Sequence, residues 1–189
     1  QALGDGTWTV NVSGKDAAGN TVSGSQTIGV DTTAPTLSVD TLAQDNIINA
    51  AEHSQPLTLT GKTNAEVGQI VTVTLNGKNY NATVGSDGTW SVTLDVNDVQ
   101  ALSEGNHTLT VNVSDKAGNG SSVTADFTVD TAAPIVTIHT VAGDDILNIS
   151  EQGQAHIISG LASGAAAGDV VTVTLGGQTF TGVVLADGS

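Results

Sequence analysis

The chain repeats itself at a fixed interval. Residues 1–30 align with 100–129 without a gap at an offset of 99, with 12 identities. Residues 31–61 align with 130–160 at the same offset with another 12, and after one inserted residue near Gly164 the segment 67–89 matches 167–189. DTTAP at 31–35 returns as DTAAP at 130–134, DAAGN at 16–20 as DKAGN at 115–119, and VTVTLNG at 71–77 as VTVTLGG at 171–177. A period of this size predicts a string of like units rather than one large fold. The 189 residues then divide into the C-terminal part of one repeat (1–30), a complete repeat (31–129) and the N-terminal part of a third (130–189). Thirty residues cannot bury a core alone. The chain therefore reads as a piece of a longer polypeptide, or as one whose residues 1–30 complete the third repeat of a neighbouring molecule. A local two-residue shift aligns TVNVS at 9–13 with 110–114, which puts Trp8 on Leu109 and predicts a core position for it.

Inside the complete repeat, apolar residues alternate with polar ones. Leu37 and Val39; Leu57 and Leu59; Val71, Val73 and Leu75; Tyr80, Ala82 and Val84; Trp90, Val92 and Leu94; Leu109, Val111 and Val113; and Val123, Ala125, Phe127 and Val129 make seven such runs. A period of two marks a strand that buries one face. Asn76-Gly77 is a hairpin signal, and Ser86-Asp87-Gly88 and Asp115 to Gly120 consist of residues that tolerate tight turns. Seven short antiparallel strands in about 100 residues predict an all-β fold of immunoglobulin-like sandwiches arranged end to end. Val96, Val99 and Leu102, spaced by three, predict a short helical turn before the sixth strand. With 5 aromatic residues, no Met and no Cys, the core is thin and no disulfide holds it.

Fifteen Asp and 4 Glu face 4 Lys and no Arg, a net charge of −15. Phosphate neutralisation needs clustered cations, so nucleic-acid binding is excluded, and an anionic membrane surface would repel the chain. No apolar stretch is long enough to insert into a bilayer. The acids recur in loops. Asp16 and Asp115 lie in the loop between the last two strands, Asp31 and Asp130 between repeats, and Asp45 and Asp144 in the loop after the first strand, with Glu52 and Glu151 beside them. Hard cations take six to eight oxygens from carboxylates, amides and loop carbonyls, which Asp/Asn/Gly loops supply. Opposed acidic ends repel unless a cation lies between them. The plainer reading is that Asp and Asn fill these loops because they make good turns and that the charge keeps the chain soluble. No EF-hand, nucleotide fingerprint or G-x-S-x-G is present, and the four His are neither at metal-ligand spacing nor repeated, so nothing predicts an enzyme.

The motifs DTTAP, DNIINAAE, VTVTLNG, DGTW and DKAGN at a spacing near 100 resemble the bacterial Ig-like repeats of giant adhesins exported by type I secretion. The resemblance covers essentially the whole chain. It looks closest to the repeats of the giant non-fimbrial adhesin of Salmonella, with biofilm-associated surface proteins next. It implies a calcium-rigidified stalk segment on a Gram-negative cell surface, with neighbouring repeats of the same chain and calcium ions as partners, and host-surface contact made by the full-length adhesin. The candidate ligands it implies are Asp16, Asp31, Asp45, Asp115, Asp130 and Asp144. A rival expectation is an Ig-like binding module whose own loops contact a host glycan or protein; an exposed aromatic shelf would favour it.

Overall fold

In the computed structural model, which describes residues 2–189, the chain forms two compact units that divide between Thr131 and Ala132. The first unit begins with a hairpin of β1 (Gly6–Lys15) and β2 (Thr21–Val30), paired from Gly6↔Val30 to Lys15↔Thr21. A two-sheet sandwich follows. Its strands are β3 (Leu37–Val39), β4 (Ile47–Ile48), β5 (Leu57–Thr63), β6 (Ile70–Leu75), β7 (Lys78–Thr83), β8 (Thr89–Leu94), β9 (Gly105–Ser114) and β10 (Gly120–Val129). One sheet has the order β3-β5-β8 and the other β4-β10-β9-β6-β7.

All seven expected runs form strands, because each has one apolar face and the two sheets bury those faces against each other. Leu59, Val71, Val73, Leu94, Leu109, Val111 and Val129 are all at most 1 % exposed. Asn76 and Gly77 both adopt positive φ, 49° and 74°, the geometry of a two-residue turn that matches strand twist. That turn ties β7 to β6, so the fourth run belongs to the five-stranded sheet. An eighth strand, β4, departs from the all-antiparallel expectation: its two residues pair parallel to Thr128 and Val129. Two residues are too short to leave a periodic signal. The helical turn before β9 is present as α1 (Val96–Gln100), and it seats Val99 and, just beyond it, Leu102 in the core.

Trp90 on β8 fills the space between the sheets and is 1 % exposed. Room for it comes from Gly61 on β5. A Cβ there would lie 2.0 Å from the Ser38 carbonyl oxygen and 2.5 Å from the Trp90 ring. The expectation for Trp8 fails. The ladders β1–β2 and β9–β10 are in register at the plain offset of 99, with no two-residue shift, so Trp8↔Ile28 corresponds to His107↔Phe127. Trp8 is 41 % exposed and donates its indole N–H to the Gly4 carbonyl at 2.8 Å. A short identical string had outweighed the turn, which is what sets register in a hairpin.

The second unit contains β11 (Ile135–Ile138), β12 (Gly160–Ser163), β13 (Val170–Leu175) and β14 (Gln178–Val183). They form two separate antiparallel pairs, β11-β12 and β13-β14. Both repeat pairings of the first unit: Val136↔Ala162 stands where Leu37↔Thr63 does, and Val173↔Phe180 where Val73↔Tyr80 does.

Candidate functional site

The acidic loops gather at the two ends of the sandwich. At one end Asn119 ties the loop 115–119 to the linker: its side-chain N–H donates to the Asp31 carbonyl at 3.1 Å and to Asp115 Oδ2 at 2.9 Å. Asp115 Oδ1 accepts the Asn119 backbone N–H at 2.8 Å, and Lys116 N donates to Glu66 Oε2 at 3.0 Å. The Ser121 hydroxyl donates to the Pro35 carbonyl. Asp31, Glu66 and Asp115 thus share this end. Bonds from Asn119, the side-chain amide above all, hold the Asp115 carboxyl below the ordinary aspartate value. Asp16 repeats the arrangement with Asn20, at 2.7 Å to each nitrogen, and is lowered for the same reason.

The opposite end holds the loop 41–55, α1 and the chain around Asp130. The His53 ring meets the Leu102 carbonyl at 3.2 Å, Lys78 Nζ meets Asp98 at 2.5 Å, and Asp130 N donates to the Ile48 carbonyl at 3.0 Å. Asp45 accepts the Ile47 amide at 2.9 Å, and Glu52 accepts the Asn49 amide at 3.1 Å. In the second unit Asp144 accepts the Ile146 amide at 3.0 Å and Glu151 the Asn148 amide at 3.0 Å. The same carboxylates therefore brace the same loop in both repeats, each turned inward on its own backbone. Asp31 likewise accepts the Thr33 amide at 3.1 Å.

Among the described residues no three Asp, Glu, His or Cys side chains converge as a metal-holding group. The structure brings Asp31 and Asp115 to one end and Asp45 and Asp130 to the other. Asp16 lies in the hairpin loop 16–20 and Asp144 in the second unit. The donors at each end are oxygens, the chemistry of a hard cation, but a full shell there needs loop carbonyls or amides in addition to the carboxylates.

Sequence reasoning passed over Asp5 and Glu104. Asp5 Oδ1 accepts the Thr32 amide at 2.9 Å and the Thr32 hydroxyl at 2.6 Å, and Oδ2 accepts the Thr33 hydroxyl at 2.5 Å. The Thr32 hydroxyl leads the causes that hold Asp5 below the ordinary aspartate value. Glu104, 99 residues on, accepts the Thr131 amide at 3.1 and 3.2 Å and the Thr131 hydroxyl. The signal was available in the alignment, where a carboxylate faces a carboxylate and a threonine faces a threonine.

Residues 37–131 match the model of a bacterial Ig-like domain, half of the chain. The chain belongs to the bacterial Ig-like domain family. A second bacterial Ig-like model, of group 3, matches residues 88–185 and so overlaps both units. No protein of curated function matches. Among solved structures, this bacterial Ig-like chain is similar to one described in work on host cell surface retention of a 1.5-MDa bacterial ice-binding adhesin. Identity there is 31 %, the TM-score is 0.50, and the match covers 98 % of this chain and 62 % of that one. A Ca2+-stabilized adhesin that helps an Antarctic bacterium reach out and bind ice is 35 % identical over 96 % of this chain and 46 % of its own, with a TM-score of 0.47. A single bacterial immunoglobulin-like domain from the ice-binding adhesin of M. primoryensis is 33 % identical over 52 % of this chain and 99 % of its own, with a TM-score of 0.41. The chain spans about half to three-fifths of the length of the first two.

Proposed function

We propose that this chain is a stalk segment of a large, secreted bacterial surface adhesin, a run of Ig-like repeats stiffened by calcium that holds a distal binding region away from the cell. The observation that carries the reading is the repeated placement of carboxylates in loops and linkers of an Ig-like fold whose 19 acidic residues are opposed by only 4 Lys. End-to-end approach of such repeats puts like charges together, and a divalent ion held between them turns that repulsion into attraction. Asp31 and Asp115 at one end, Asp45 and Asp130 at the other, and their repeat equivalents Asp16 and Asp144 are the ligands proposed, with Asn119 and linker carbonyls completing the shell.

When bound, the ion supplies a cross-link between carboxylates that otherwise brace only their own loops. Extracellular modules of this kind bind calcium with dissociation constants of roughly 0.1–1 mM. The resemblance of the motifs extends the reading to export by type I secretion, with repeats akin to those of the giant non-fimbrial adhesin of Salmonella. Small-angle scattering of the chain in calcium and in chelator tests it. The expected result is a longer, stiffer particle in calcium, an effect reduced by Asp31→Ala while the sandwich stays folded. A maximum dimension that does not respond to calcium overturns it.

A further inference from the structure

We infer that Asp5 and Glu104 are linker-positioning residues, each clamping the threonine that leaves its hairpin through its own carboxylate. In both places the carboxylate stands one residue before the first strand of a hairpin, and its threonine stands two residues after the second strand. Gly6↔Val30 closes one ladder and Gly105↔Val129 the other. The carboxylate bonds extend each ladder past its last backbone pair and hold the strand exit where the linker begins. Asp in one case and Glu in the other reach the same two groups, the amide and the hydroxyl of Thr32 or Thr131. Two side chains of different length converging on one pattern, 99 residues apart, mark a selected contact rather than a local accident.

The threonine suits the chemistry. A carboxylate accepts but cannot donate, and one threonine offers it two donors, the amide and the hydroxyl; charge-assisted bonds of this kind are the stronger ones. The two clamps differ in detail: at Asp5 the Thr33 hydroxyl adds a bond at 2.5 Å, and the corresponding residue, Ala132, carries no hydroxyl. This goes beyond the stalk reading, since every group in the clamp belongs to the chain itself.

The test is amide hydrogen exchange by NMR on the full chain in chelator. Thr32 and Thr131 amides should be protected there. Glu104→Ala should speed exchange at Thr131 by about tenfold and leave Thr32 and the β9–β10 ladder unchanged. Asp5→Ala should do the converse, and Glu104→Gln, which keeps an acceptor, should recover part of the protection. Thr33→Ala, which removes the third donor to Asp5, should lower protection at Thr32. Thr131→Val, which spares the carboxylate, gives a second reading and should also speed exchange at position 131. Equal Thr131 rates in Glu104→Ala and the parent chain overturn the inference. So does protection that appears only when calcium is added, an outcome that would leave the calcium-stiffened stalk standing.

Discussion

The hairpins β1–β2 and β9–β10 have the same length, the same ladder and the same turn, yet their apolar faces end up in different surroundings. Leu109 and Val111 are 0 % exposed, while Val10 and Val12, at the equivalent positions, are 46 % and 66 % exposed. The difference lies in what each hairpin meets. β9 pairs with β6 and β10 with β4, and together they face β5 and β8 across the core. Among the described residues, β1 and β2 pair only with each other. The two ladders share pattern and turn chemistry, and it is the opposing sheet that converts the pattern into burial, since a two-stranded hairpin alone is marginal. The second unit teaches the same lesson, since Leu75 is 3 % exposed on β6 and its counterpart Leu175 on β13 is 63 % exposed.

The largest expected effect follows from that contrast. Leu109→Ala should destabilise the sandwich by about 3 kcal/mol, the cost of a core cavity, whereas Val10→Ala should change the same urea transition by less than about 0.5 kcal/mol. Equal losses would show that β1–β2 is part of the cooperative core and would end the comparison. Gly61→Ala comes next, at roughly 2–3 kcal/mol, because its new Cβ would strike the Ser38 carbonyl and the Trp90 ring. The equivalent Gly160→Ala meets the Thr137 carbonyl at 1.9 Å. It should abolish exchange protection between β11 and β12 while leaving the main transition in place. A shift of the main transition by Gly160→Ala would show that the two units unfold together.

Most of the fold was legible because its determinants are local. Seven alternating runs, one Asn-Gly turn and a three-residue apolar spacing are enough to name the strands, the hairpin and α1. What escaped depended on contacts without local signature. β4 is two residues long and exists only because β10 lies beside it. Trp8 differs from expectation because the turn at Asp16–Asn20, not the five-residue match TVNVS, fixes the hydrogen-bond register. The candidate acids were legible as a set that recurs in loops and linkers. The inward aim of those carboxylates was not, because Asp and Asn in a loop look alike whether they brace amides or await an ion. Asp5 and Glu104 were overlooked for a related reason. Their threonine partners are distant from them in sequence, and an Asp-to-Glu change between repeats reads at first as variation in an exposed loop.

The smallest expected effect probes what the two hairpins share rather than what separates them. Asp16 and Asp115 sit in the same turn, and in each the neighbouring asparagine donates to the ionised carboxylate, lowering its pKa from the ordinary 3.8. A pKa lowered on folding means that the unfolded chain binds the proton more tightly. The turn's contribution is therefore complete at neutral pH, begins to fall near pH 4, and is gone once the pH drops below the folded value. Both carboxyls are exposed and screened by solvent, so the change in global stability should be slight, and carboxyl 13C titration is the sharper measurement. The expected outcome is that Asp16 and Asp115 titrate together, both below 3.8, despite the unequal burial of their strands. Asn119→Ala should return Asp115 toward the ordinary value and leave Asp16 where it was. If Asp16 instead titrates as an ordinary aspartate while Asp115 stays low, the turn depends on the sandwich behind it, and the separation of local ladder from distant burial fails at its simplest point.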